Sequence, residues 1–413
     1  MRLYLLLCLL CGLLLLSAQP LAANEAQQYF DAGIRAFNQG KMPQAITALT
    51  RALNSYPGYA QAHYWLGNIY YQQQDYKRAQ QALQLAIARY PGYAEAHYLL
   101  GMSFHQLDEF DAAAKAARQA VKAYPRYEEA QYLLATLAER QGAWPQALEA
   151  YRQVARLNPK NVEALFRLAI ALEETGQAAD AKLLYQQVIR EEPARLEVLL
   201  RLAVLAERLK QPQDAIAAYQ AILHRQPDHT DTLYRLAVLY DTQGDTEAAI
   251  EAYTRLLDVY PQHAEAALYL GLLQVTQGDE AAAERAYQQA IAARPDYVDA
   301  YYQLGELYKK QQRPAQAVEA LQQALQHQPN HANAHYTLGV IYFELKQCRT
   351  AVAEFAAALA ARPNFRQAHY SLGVCYEFDL LDIAQAIEHY RRFLALGGSD
   401  VRVQQLVEYS QGR

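Results

Sequence analysis

The sequence predicts an all-α solenoid, a stack of eleven helix-turn-helix repeats closed by a capping helix. Three observations predict it. Ten of the fifteen prolines fall 34 residues apart without a slip: Pro57, Pro91, Pro125, Pro159, Pro193, Pro227, Pro261, Pro295, Pro329 and Pro363. Small residues recur at two fixed places in each 34-residue block. Large apolar residues follow helical spacing along two separate stripes per block. A constant period of this length marks supersecondary units that shed water by stacking on their neighbours.

The chain opens on a targeting segment. Arg2 precedes an apolar run from Leu3 to Leu16, too short for a membrane span, and Ala22 and Ala23 supply small residues for cleavage. Residues 1–23 are thus expected to be a Sec signal peptide, cut before Asn24. An uncleaved anchor or a buried first helix is the alternative reading. Cys8 and Cys11 lack the small residues that a lipoprotein signal places before its cysteine.

The repeats fill residues 26–399. With the periodic proline counted as position 32, they begin at 26, 60, 94, 128, 162, 196, 230, 264, 298, 332 and 366. Position 7 is Leu in all but the first repeat, and position 8 is always Gly or Ala, from Gly33 to Gly373. Positions 4, 7, 8 and 11 make one helical stripe. Position 20 is Ala in ten repeats, Ala45 to Ala351, and opens the second stripe with the mostly large position 24. The small residues let two helix backbones approach, where a larger side chain would overpack. Between the stripes lies a breaker, with Gly40, Gly142, Gly176, Gly244 and Gly278 at position 15. Pro43, Pro145, Pro212 and Pro314 sit where the second helix starts and a missing N–H is harmless. The position 32 proline stops that helix. The eleventh repeat carries one extra residue, read here as part of its turn at 378–382, so that Ala386, Tyr390 and Phe393 continue its second stripe. Residues 400–413 read as a capping helix and tail, with Val403, Leu406 and Val407 inward.

This pattern resembles the tetratricopeptide repeat family over residues 26–397, in repeat length, breaker and small-residue positions. The resemblance implies a right-handed superhelix whose inner groove is lined by the first helix of each repeat, with positions 2, 5, 9, 12 and 13 facing the ligand. It departs at position 4, where the family favours Trp and this chain has His63, His97, His335 and His369. Looser outer packing is expected there. Position 5 is nearly an aromatic ladder: Phe30, Tyr64, Tyr98, Tyr132, Phe166, Tyr234, Tyr302, Tyr336 and Tyr370, interrupted by Leu200 and Leu268. A groove so lined suits extended peptides or sugar rings, while the same tyrosines also support the fold. Arg167, Arg201 and Arg235 form a row at position 6. They suit carboxylates gripped bidentately. Equally, Glu163, Glu197 and Asp231 stand four residues earlier as intrahelical partners. The family's lysine-containing clamp for terminal carboxylates is not matched, although Asn68 occupies one such place.

Net charge is −5 and no basic block stands out, so nucleic acid and anionic membrane surfaces are poor partners. No nucleophile motif, phosphate loop or paired-acid constellation stands outside the repeat register. No cofactor and no metal is expected. His327, His331 and His335 cluster in sequence but span a turn between repeats. Cys348 and Cys375 fall in neighbouring repeats. They read as two small buried apolar residues, with a disulfide as the alternative in an oxidising compartment. The expected protein is a periplasmic or secreted, non-catalytic scaffold of the bacterial envelope that binds other proteins in its groove. Polysaccharide binding along the tyrosine ladder is the alternative.

Overall fold

The computed structural model describes residues 23–411. The leader expected at the N-terminus lies almost wholly outside the described residues. Throughout the described residues the regular structure is helical, in consecutive antiparallel hairpins. The chain divides into two compact halves, one through Gln211 and one from Pro212.

The N-terminal half holds α1 (residues 23–38), α2 (Met42–Ser55), α3 (Ala60–Gln72), α4 (Tyr76–Arg89), α5 (Ala94–Gln106), α6 (Phe110–Ala123), α7 (Glu128–Arg140), α8 (Trp144–Leu157), α9 (Val162–Glu174), α10 (Ala178–Glu191) and α11 (Leu196–Arg208). The C-terminal half holds α12 (Pro212–Arg225), α13 (Thr230–Thr242), α14 (Thr246–Val259), α15 (Ala264–Gln277), α16 (Glu280–Ala293), α17 (Val298–Lys310), α18 (Pro314–His327), α19 (Ala332–Glu344), α20 (Cys348–Ala361), α21 (Arg366–Val374), α22 (Ile383–Ala395) and α23 (Val401–Gln411). Odd-numbered helices up to α21 are the first helices of repeats; even-numbered ones are the second.

Each repeat is held by the same core. Every position 20 alanine from Ala45 to Ala351 is wholly buried. Against it lies the position 24 side chain, and Tyr151, Tyr185, Tyr219, Tyr253 and Tyr287 are at most 1% exposed. Burying a side chain of this size contributes about 1.5–3 kcal/mol, and among the first ten repeats it recurs in all but the third, where position 24 is Ala117. Position 8 receives the ring or methyl groups of position 24. A Cβ added at Gly271 would lie 2.5 Å from Tyr287 Cε1.

Two local devices end the helices. At position 15 the backbone is left-handed in the first ten repeats; in the eleventh Leu380 has φ −98° and the left-handed place passes to Leu381, at φ 54°. The five glycines have φ between 68° and 83°. Gln74, Asp108, Lys210, Gln312 and Lys346 hold φ between 55° and 63° at the same place. At the other end, the position 31 amide closes the last turn, as in Tyr56 N–H to Ala52 O at 2.8 Å. The position 32 proline then begins the link to the next repeat.

Two expectations are corrected. The extra residue of the last repeat is not taken up only in the turn. It is absorbed one turn earlier, as a π-helical turn at Cys375–Asp379 in which Leu380 N–H donates to Cys375 O at 3.0 Å. Packing at position 4 is not loose. The histidines there replace the family's indole with a recurrent strut, each Nε2 meeting the carbonyl of the preceding periodic proline. His63 meets Pro57 at 3.1 Å, His97 meets Pro91 at 2.9 Å, His335 meets Pro329 at 2.9 Å and His369 meets Pro363 at 3.1 Å.

The last helix, α23, covers the final hairpin with Val403 and Val407, both buried. Asp400 caps its start by accepting from Val403 N–H at 2.9 Å. Arg402 ties it back to Glu377 on the last repeat at 2.6 Å.

Candidate functional site: the aromatic row of the first helices

The position 5 side chains stand one per repeat on the first helices. In the N-terminal half Tyr64, Tyr98 and Tyr132 are half-buried, as are Tyr234, Tyr302, Tyr336 and Tyr370 in the C-terminal half. Each therefore offers part of a ring to solvent. Burial is the leading cause that raises the hydroxyl pKa of Tyr64, Tyr98, Tyr132, Tyr234, Tyr302 and Tyr370, so these phenols stay neutral donors. A nearby carboxylate is the second cause for Tyr64 (Glu95), Tyr98 (Glu129), Tyr132 (Glu163) and Tyr234 (Glu265).

Phe166 departs from the expected row. It is fully buried, and the Arg195 guanidinium sits 4.1 Å over its ring. It offers no surface to a ligand, and the reading of it as a groove contact is corrected accordingly.

The residues that order this row were not singled out from the sequence. They occupy position 34, two residues after each periodic proline. Their rings lie against position 5: Tyr59 on Phe30 at 4.9 Å, Tyr93 on Tyr64 at 4.9 Å, Tyr127 on Tyr98 at 5.1 Å. In the C-terminal half the same pairing joins His263 to Tyr234 at 4.8 Å, His331 to Tyr302 at 5.1 Å and Phe365 to Tyr336 at 4.9 Å. In the last repeat Tyr370 instead donates to Asp400 at 3.2 Å. Position 34 is also the cap of the next first helix; His263 and His331 accept there from Ala266 and Ala334 N–H at 3.1 and 3.0 Å. One residue thus fixes the position 5 ring of its own repeat and starts the next. The signal was present in the sequence as a Tyr, His or Phe recurring at proline-plus-two.

A second ring opens to water at position 31 in four repeats: Tyr260 is 47% exposed and lies 5.9 Å from His263, and Tyr56, Tyr90 and Tyr124 of the first three repeats are 49%, 56% and 52% exposed. These three lean on Tyr59, Tyr93 and Tyr127 at 6.1, 5.7 and 6.1 Å.

The arginine row is committed inside the protein. Arg167 binds Glu163 at 2.8 Å and reaches Glu139, on the previous hairpin, at 2.9 Å. Arg201 lies 3.5 Å from Glu173 and 3.9 Å from Glu197, and Arg235 binds Asp231 at 3.1 Å. The buried core joins this network: Tyr151 donates to Glu139, and Tyr185 to Glu173 at 2.8 Å. The expectation that these guanidiniums grip a ligand carboxylate is corrected. Arg167 and Arg201 cross-link successive repeats, and Arg235 is paired within its own helix.

Cys348 and Cys375 are unbridged; Cys375 is buried and Cys348 half-buried. Burial, then the neighbouring Cys348, pushes the Cys375 thiol up to about 12, which holds it protonated and unreactive. The three histidines have separate partners. His327 stacks on Tyr301 at 5.8 Å, His331 caps α19, and His335 meets Glu354 at 2.7 Å. No helix among the described residues is long and apolar enough to cross a membrane.

A row of rings carried on stacked helical hairpins, backed by repeat-to-repeat ion pairs, defines a helical-repeat scaffold for protein–protein interaction. Sequence models described as tetratricopeptide repeat match residues 30–94, 67–128, 98–161, 138–200, 194–262, 234–298, 286–319 and 309–375. The chain belongs to the tetratricopeptide repeat family. No curated protein sequence matches it. Among solved structures it is similar to MamA, at 28% identity and TM-score 0.38, over 40% of this chain and 97% of that one. It is also similar to YrrB, titled a TPR protein with an unusual peptide-binding site, at 20% identity and TM-score 0.40, over 48% and 98% of the two chains. A third likeness is to the APC/C hetero-tetramer Cut9–Hcn1, at 16% identity and TM-score 0.38, over 95% and 97%. The family assignment rests on the sequence models and not on these superpositions.

Proposed function

We propose that this protein is a non-catalytic scaffold of the bacterial cell envelope, exported by its N-terminal segment, which holds extended partner proteins along the first-helix face. The observation that carries the reading is the half-exposed position 5 row, in which Tyr64, Tyr98, Tyr234, Tyr302 and Tyr336 are each set by a position 34 ring. Such a row gives an extended chain a repeated apolar platform with a neutral hydroxyl at each step. Aromatic rings supply large contact area at low conformational cost. The paired arginines and the buried thiol add rigidity, not reactive groups.

The test is a pull-down from envelope extract with the wild type and the Tyr98→Ala/Tyr132→Ala variant, beside a glycan array. Loss of protein partners, with circular dichroism unchanged, is expected; about tenfold weaker capture corresponds to ~1.4 kcal/mol lost at the two rings. Glycan binding that disappears in the variant, with no protein captured, would favour polysaccharide along the exposed tyrosines instead. Cell fractionation checks export: recovery of the full-length chain in the cytoplasm would remove the envelope assignment.

A further inference from the structure

The acids at position 2 stand beside the aromatic row, and the protein shows twice what they take up. In the fifth repeat Arg195 lays its guanidinium 4.1 Å over the Phe166 ring and binds the position 2 carboxylate of Glu163 at 2.7 Å. In the eighth repeat Arg294 lies 4.5 Å over Tyr297 and binds the position 2 carboxylate of Glu265 at 3.2 Å. The two arginines come from different positions, 34 and 31, yet each ends between a ring and the same acid. A guanidinium suits that place because its flat face meets the ring while its edge donates to the carboxylate.

The third and fourth repeats have the ring and the acid but supply no arginine. Glu95 and Glu129 are exposed position 2 carboxylates beside Tyr64, Tyr93, Tyr98 and Tyr127. Among the described residues neither carboxylate has an ion-pair partner, and Arg126, in the loop before Tyr127, pairs with neither. The corresponding positions 31 and 34 hold tyrosine or asparagine: Tyr124 and Tyr127 in the third repeat, Asn158 and Asn161 in the fourth.

We infer that the strip formed by Tyr64, Tyr93, Glu95, Tyr98, Tyr127 and Glu129 binds an extended, arginine-bearing segment of a partner protein, one cationic side chain to each repeat. The inference rests on the first-helix face being the binding face, and it adds the chemistry of what binds there. The internal arginines of the fifth and eighth repeats are the pattern; the partner supplies in trans what those repeats supply in cis. Charge complementarity sets the register, because successive acids are one repeat apart.

The experiment uses the full chain and a fluorescein-labelled peptide that alternates arginine with glycine, with serine–glycine and glutamate–glycine peptides of equal length as controls. Binding is read by anisotropy at two salt concentrations. Wild type is expected to bind the arginine peptide alone, and Glu95→Gln/Glu129→Gln to bind it about five- to tenfold more weakly. Asp180→Asn/Glu191→Gln removes the same charge from exposed places on α10 and is expected to change affinity by less than about twofold. Circular dichroism confirms that both variants fold. Equal weakening in the two double variants would reduce the binding to general surface charge and overturn the inference. So would arginine-peptide binding that ignores Glu95 and Glu129. If Tyr98→Ala/Tyr132→Ala abolishes capture of envelope partners while the arginine peptide ignores the two acids, the binding face stands and only the arginine chemistry fails. If that variant leaves partner capture intact, the binding-face reading itself fails.

Discussion

At the scale of single residues, one 34-residue pattern is satisfied in chemically different ways. Position 8 and position 24 trade volume across the hairpin. The repeats with Tyr151, Tyr185 and Tyr253 at position 24 carry Ala135, Ala169 and Ala237 at position 8, whereas Gly271 faces Tyr287. Two of the rings in the alanine repeats are moored by their hydroxyls, to Glu139 and Glu173. The eighth repeat has Val275 where those acids stand. Its ring closes directly on the glycine, leaving 2.5 Å for an added Cβ. Gly271→Ala is therefore expected to destabilise the protein by about 1–3 kcal/mol despite its gain in helix propensity. A urea titration followed at 222 nm reads this directly. A midpoint equal to or above wild type would show that the ring moves aside freely.

At the scale of elements, the turn of each hairpin is where backbone preference and sequence disagree. Position 15 is left-handed in the first ten repeats, yet only half of them place glycine there. A side chain in this conformation costs about 1 kcal/mol, which the repeats with Gln, Asp or Lys tolerate because stacking overdetermines the turn. Gln74 is exposed at φ 61°, so Gln74→Gly is expected to stabilise by about 0.5–1 kcal/mol. Differential scanning calorimetry would detect the rise, and a lowered melting temperature would mean that the glutamine makes an interaction worth more than its strain. The π-turn at Cys375–Asp379 is the same economy in another form. One surplus residue is looped out where the first helix of the last repeat ends, and the second stripe of Ala386, Tyr390 and Phe393 keeps its buried face.

At the scale of the whole molecule, each repeat leans on its neighbours and stability passes along the chain in steps. The end of the C-terminal half then depends on its cap. Val403 is wholly buried beneath α23, beside Tyr390 and Phe393. Val403→Asp places an unpaired charge there and is expected to cost about 3 kcal/mol or more locally. Hydrogen exchange should show faster amides over residues 383–411 while residues 60–140 keep wild-type protection. Loss of protection across both regions together would contradict nearest-neighbour stacking. On the proposed binding face the same logic predicts that a partner spanning several repeats is held by many similar small contacts, so that affinity rises with the number of repeats it engages.

The sequence by itself determined the hairpin, its length and its core. Period, small residues at positions 8 and 20, and the helix-stopping prolines are local requirements of packing two helices, and they are written in residue type. It also determined which rings recur at position 5. The tertiary structure decided which of those rings meet water. Phe166 is closed off by Arg195, a residue 29 positions later, and Arg167 is claimed by Glu139 on the preceding hairpin. The position 4 histidines and the position 34 caps likewise show their roles only when consecutive repeats are stacked. Residue type and spacing fix what a side chain can do within one hairpin; which partner it meets across the boundary between hairpins is set by how the backbones stack, and that is where this protein's surface chemistry is made.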